Sequence, residues 1–147
     1  MIIQPDTQIV LDTNVLLVSI PSRSPYHAIF QAFLAEQFML CVTTDILIEY
    51  TEIFSQRANS LVATNALEAI ESAVNVNWIT RYYPWGLITV DPDDNKFVDC
   101  AIAANALFIV TNDHHFDVLS TIPFPSVNTI DIDSFLAILK GDIPPIS

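Results

Sequence analysis

A chain of 147 residues, 52% of them hydrophobic, is long enough to bury a core as one domain of ordinary size. Its formal charge of −12, from 17 acidic against 5 basic residues, argues against a broad phosphate-binding face and suits cation binding or a basic protein partner. Two cysteines rule out a disulfide framework, two glycines rule out a glycine-rich phosphate loop, and no apolar run reaches the roughly 18–20 residues that span a bilayer.

The N-terminal "MIIQPDTQIV" has no basic region and no signal-peptide core, which predicts a cytoplasmic protein. "QIVLDTNVLL" then has the character of a buried strand, yet Asp12, Thr13 and Asn14 are set into its middle. A carboxylate among aliphatic side chains is costly unless it is paired or bound to a cation. Asp12 is therefore read as the holder of a divalent metal, and the rest of the chain must supply its fellow ligands.

Prolines in "SIPSRSP" break this run, and "YHAIFQAFLAEQ" carries Ile29, Phe30, Phe33 and Leu34 at helical spacing. "FMLCVT" reads as a short strand. "TTDILIEYTEIFSQR" reads as a helix capped by Thr44 or Asp45, with Ile46, Leu47, Tyr50, Ile53 and Phe54 as its apolar face. "SLVATNALEAIESAVNV" predicts a further helix, and the aromatic "WITRYYPW" suits burial in a core or dimer face better than base stacking. "LITV" reads as a strand ending at the acidic turn "DPDDN", "KFVDCAIAANA" as a helix and "LFIVT" as a strand. "NDHHFDVL" predicts a loop and a short helix whose histidines are exposed. "PSVNTI" and "DIDSFLAIL" close the pattern as strand and helix, the latter starting at Asp131 or Asp133.

Alternating strands and helices predict a parallel sheet covered by helices, and ligands of such sheets bind at the carboxyl ends of strands. Asp12 and Asp113 both follow apolar strand runs, so they fall on one edge of the sheet. Glu49 lies between apolar positions of its helix, and Asp99 is flanked by small and apolar residues in "FVDCAIAANA". Each acid has an ordinary use as well: turn or helix caps for Asp12, Asp94 and Asp113, solvated helix positions for Glu49 and Asp99. Together they point to a cation, since clustered carboxylates repel and hard oxygen ligands favour Mg²⁺ or Mn²⁺.

"VLDTNVLL", "LIEYTEIF", "DCAIAANA" and "FIVTND", in this order over nearly the whole chain, resemble the four signature segments of the PIN-domain family. The resemblance implies a three-layer α/β/α fold with a central, mostly parallel sheet, a single domain over 1–140 and a tail over 141–147. It also implies a metal-dependent ribonuclease of the VapC type, cleaving single-stranded RNA with water activated by Mg²⁺ or Mn²⁺. Such a protein is the toxin of a toxin–antitoxin pair, with an antitoxin partner and a homodimeric state. The family's acids fall on Asp12, Glu49, Asp99 and Asp113, with Thr13, Asn14 and Thr111 orienting them. Asp12 and Asp99 are the expected direct ligands, with Glu49 and Asp113 serving a second ion or its waters. The resemblance to the family's subgroup with "DPDDN" before the helix implies that Asp94 shares or takes over the role of Asp99; five residues turn about 140° around a helix, so the two do not point identically at one ion. Lys96 is the cation best placed to touch a phosphate. Two other readings stand beside this one. A phosphatase with Asp12 as nucleophile lacks the second aspartate at plus two, where Asn14 stands, and an inactive PIN-like module would bind only a protein.

Overall fold

The computed structural model describes residues 3–141, so the tail expected over 141–147 lies, apart from Gly141, outside the described residues. Five strands form one sheet in the order β3-β2-β1-β4-β5, and every pairing is parallel. They are β1 (Gln8–Leu11), β2 (Met39–Val42), β3 (Val76–Trp78), β4 (Phe108–Val110) and β5 (Thr129–Ile130). The helices are α1 (Thr13–Ser19), α2 (His27–Leu34), α3 (Thr44–Arg57), α4 (Ser60–Ser72), α5 (Asn95–Ala104) and α6 (Ile132–Leu139). Short 3₁₀ segments occupy Pro92–Asp94 and His114–Thr121.

Ile9, Val10 and Leu11 are all fully buried although successive strand residues face opposite sides of the sheet. Leu40, Cys41 and Val42 repeat the pattern in β2. Both faces of the inner strands are therefore covered by helices, which makes a three-layer α/β/α domain. α5 packs on β1, β2 and β4, while α2 packs on α1 and α6. Phe38, just before β2, meets Phe135 of α6 edge-on at 5.7 Å. Among the described residues no helix is long and apolar enough to cross a membrane.

Three local expectations are corrected. The strand read through "QIVLDTNVLL" stops at Leu11, and Thr13–Ser19 is helical, with the Asp12 carbonyl accepting the Leu16 N–H at 3.1 Å. A continuous apolar run has no period that separates a buried strand from a buried helix. "LITV" is not a strand either. The Asn95 side chain accepts from the Ile88 N–H at 2.9 Å and donates to the Ile88 carbonyl at 2.8 Å, satisfying the groups a neighbouring strand would have used. Of the two places expected for the "WITRYYPW" aromatics, core or dimer face, the core is the one corrected: Trp78 belongs to edge strand β3, and Tyr83 and Trp85 extend along the surface to Phe124. A smaller shift concerns α3, whose cap is Thr43, its hydroxyl accepting from the Ile46 N–H.

One buried contact fixes where β1 ends. Tyr50, fully buried on α3, donates its hydroxyl to the Leu11 carbonyl at 2.6 Å. Tyr50→Phe leaves that carbonyl without this partner, and we expect a loss of about 1–2 kcal/mol in urea denaturation. A variant as stable as the parent would show that the bond does not help to anchor the strand end.

Candidate metal centre

The sheet order reverses direction at β1, whose neighbours are β2 on one side and β4 on the other. Beyond the carboxyl ends of β1 and β4 the connections part company and leave a crevice, the usual ligand site of such sheets. Asp12 follows β1 as the N-cap of α1, and its own N–H bonds the Val110 carbonyl at 3.1 Å. Thr111 follows β4 and donates its hydroxyl to Asp12 Oδ2 at 2.7 Å. The same hydroxyl oxygen accepts the Asp113 N–H at 3.0 Å, so Thr111 links the two strand-end acids. Asp113 Oδ1 in turn accepts the His115 N–H at 2.9 Å as cap of the following 3₁₀ segment.

Glu49 reaches the crevice from α3, whose neighbouring Tyr50 is locked into the core. Its Oε2 accepts the Thr13 hydroxyl, and its Oε1 is 3.0 Å from Lys96 Nζ. Lys96 also meets Asp93 at 3.0 Å. Asp94, the last residue before α5, places Oδ2 3.1 Å from His115 Nδ1, which lies 3.5 Å from Asp113 and 4.0 Å from Asp91. Asp91, Asp94 and His115 offer ligand atoms that all lie within 4.8 Å of one another.

Asp99, one turn and a half into α5, is buried but engaged elsewhere: it accepts the Trp85 N–H at 3.1 Å. The carboxylates whose charge acts on Asp12 are Asp94, Asp113 and Glu49. The structure therefore brings Asp12, Thr13, Glu49, Asp94, Thr111 and Asp113 to one end of the sheet and turns Asp99 to the loop before α5. Asn14, exposed on the first turn of α1, accepts from Arg57 Nη1 at 3.4 Å.

Burial, 8% exposure remaining, raises the Asp12 carboxyl to about 6. The Thr111 bond opposes this rise, and the charges of Asp94, Asp113 and Glu49 add to it. Asp94 is also raised, first by burial and against the pull of its His115 bond. Asp99 is raised by burial, with the Trp85 N–H opposing. Burial pulls Lys96 down, but its bonds to Glu49 and Asp93 outweigh it and leave the ammonium raised. His115 is raised mainly by its bond to Asp94. An all-oxygen set of mutually repelling carboxylates, the most buried of which resists ionisation, fits a hard divalent cation. A cavity of about 390 Å³ opens in front of the acids, lined by Asp12, Asn14, Val15, Tyr26, Asn112 and Asp113.

Comparison with known proteins agrees with this geometry. The family model described as "PIN domain" matches residues 8–115. The chain belongs to the PIN-domain family. Members of that family are generally nucleases. A search of curated proteins returned no match. Among solved structures, this PIN domain is similar to one described as the crystal structure of VapBC2 from Rickettsia felis bound to a DNA fragment from their promoter. The TM-score is 0.59 at 17% identity, covering 85% of this chain and 98% of that one. At that identity the likeness concerns the fold.

Two site residues were not assigned to this cluster from the sequence. His115, expected to be an exposed loop residue, joins Asp94 and Asp113; only its place two residues after Asp113 pointed there. His114 does behave as expected, exposed and paired with Asp117. Lys96, expected to face a phosphate, is drawn onto Glu49 and Asp93.

Proposed function

We propose that this PIN domain is a metal-dependent ribonuclease cleaving single-stranded RNA, with Asp12, Glu49, Asp94 and Asp113 holding Mg²⁺ or Mn²⁺. The observation that carries the reading is Asp12: a buried carboxylate at the switch point of the sheet, pushed up to about 6 and ringed by three further acids. Asp99, read from the sequence as a direct ligand, accepts the Trp85 N–H at 3.1 Å, and in this proposal it fastens the Trp85 loop while Asp94 serves the ion. A bound divalent ion supplies Lewis acidity toward water and the phosphate oxygens, with one- and two-ion forms both compatible with four acids.

The chain's own groups do the rest. Thr111 and Thr13 hold the carboxylates of Asp12 and Glu49 in orientation through their hydroxyls. Lys96 and His115 offset part of the negative charge, and both keep a donor facing acids that the cation would also contact. The open cavity beside Asp12 leaves room for a nucleotide, with Tyr26 on its wall as a flat apolar surface. The neighbour described as VapBC2 supports a toxin–antitoxin setting and an antitoxin partner. Exposed apolar residues such as Leu61, Val74 and Phe124 support self-association as a homodimer.

Incubation of the purified protein with single-stranded RNA in Mn²⁺, in Mg²⁺ and in chelator tests the reading, with thermal unfolding followed in the same buffers. Cleavage that requires a divalent ion, together with a rise in Tm on adding it, is expected. Intact RNA under every condition and no metal-dependent change in Tm would leave a protein-binding PIN module in its place.

A further inference from the structure

Outside the metal centre, a groove of about 670 Å³ runs beside α1, between the α1–α2 connection and the α3–α4 corner. Its walls include Leu17, Val18, Ile20 and Val62, and its charged members are Arg23 and Arg57. Two of the chain's five basic residues thus share one groove of a molecule whose net charge is −12. Among the described residues Lys96 is committed to Glu49 and Asp93, while neither Arg23 nor Arg57 enters an ion pair with an acid. Both arginines are exposed.

The groove adjoins the cavity at the metal centre. Val18 lines both, and Arg57 touches Asn14, which lies two residues from Asp12 and lines the inner cavity. α1 starts at the acid and ends at Ser19, so its seven residues carry the groove roughly 10 Å away from Asp12. That length corresponds to one or two nucleotides of extended single strand. Exposed aliphatic walls with guanidinium groups at the rim match a strand whose bases and sugars lie on apolar surface while its phosphates meet planar, bidentate donors.

We infer that the Arg23–Arg57 groove is the subsite for the single-stranded RNA flanking the scissile phosphate, gripping two backbone phosphates and setting the direction in which the strand leaves the metal centre. The inference rests on the ribonuclease reading and deepens it. It also meets the charge objection: an acidic chain holds RNA by placing two guanidinium groups without acidic partners along one exit path, the third, Arg81, lying outside it.

The test uses the full chain carrying Asp12→Asn, so that RNA is bound and not cut, and a fluorescent single-stranded octanucleotide in Mg²⁺. Adding Arg23→Gln and Arg57→Gln, both at exposed positions and checked by circular dichroism, is expected to weaken binding about tenfold. The slope of log K against log salt should fall by about 1.4, two phosphates at ~0.7 each. The same double substitution in the wild-type background should raise KM for a long RNA and leave a dinucleotide substrate, too short to reach the groove, unaffected. Unchanged affinity and salt slope overturn the assignment, and if the double variant instead loses a protein partner, the groove is a protein dock. Metal-dependent cleavage by the wild type reports on the nuclease reading separately. A cleaving enzyme indifferent to the arginines sinks the groove alone; a chain that neither cuts nor binds RNA sinks both.

Discussion

Asp12→Asn is expected to abolish RNA cleavage and, in the absence of divalent ions, to make the protein more stable. The two effects have one cause. Asp12 is nearly buried, and its carboxyl is raised from 3.8 to about 6, chiefly by burial and then, against the Thr111 bond, by three neighbouring acids. Holding it ionised at neutral pH therefore costs the metal-free fold about 2–3 kcal/mol. Asparagine keeps an oxygen that can accept the Thr111 hydroxyl, and it removes the charge. Urea denaturation in chelator at pH 7.5 should show that gain, while Mn²⁺ should raise the Tm of wild type and leave the variant nearly unmoved. Cleavage should fall by more than about a hundredfold, the least expected for loss of a direct metal ligand. A variant clearly less stable than wild type in chelator would mean that the Asp12 charge is already compensated within the chain, and the argument for a cation would lose its footing.

The pH dependence follows with a definite sign. Between about 4 and 6 the folded chain retains the Asp12 proton that the unfolded chain has released, so stability falls as pH rises through that window and levels off above it. Asp94 and Asp99, raised chiefly by burial, act in the same direction. His115, raised by its bond to Asp94, contributes stability below its ordinary pKa that is lost as pH climbs through the raised value. Metal-free protein should therefore be harder to unfold near pH 5 than near pH 7.5, the reverse of common acid denaturation. Mn²⁺ should narrow the difference, because it favours the ionised acids.

How much of this was legible in the sequence depended on how far each side chain reaches. Asp12 and Asp113 could be placed because each ends an apolar run, and the ends of parallel strands share one edge. Glu49 could be placed because its neighbours Ile46, Tyr50 and Phe54 define the buried face of α3 and leave it on the border. The boundary at Asp12 was harder: "VLDTNVLL" is apolar enough to be strand or helix, and only the cap at Asp12 divides it. The site's cations lay further out of reach. Lys96 meets Glu49 across 47 positions and His115 meets Asp94 across 21, and such pairings follow from how α3, α5 and the β4 loop pack. No period in the sequence encodes that packing.

The choice between Asp94 and Asp99 gives the sharpest division between two variants. Both acids are carried by the same stretch of chain, and the sequence motif around "DCAIAANA" favoured Asp99. The start of α5 favours Asp94 in the reading proposed above, because Asp94 sits at its N-terminal end beside His115 and its charge acts on Asp12, whereas Asp99 accepts the Trp85 N–H. Asp94→Asn should lower cleavage by about a hundredfold or more, with the fold intact by circular dichroism and with weaker Mn²⁺ binding in calorimetry. Asp99→Asn keeps an acceptor for the Trp85 N–H and sheds a buried charge, so cleavage should stay within about threefold of wild type and stability should not fall. Asp99→Ala removes the acceptor; the unpaired Trp85 N–H should then cost about 1–3 kcal/mol while metal affinity is retained. The reverse result, Asp99→Asn inactive with Asp94→Asn active, would require α5 to turn so that Asp99 leaves Trp85 and faces the β1–β4 crevice. Such a rotation would also have to break the Lys96–Glu49 pair, since Lys96 is carried on the same helix. Activity in the two asparagine variants thus reports on the orientation of one helix as well as on the identity of a ligand.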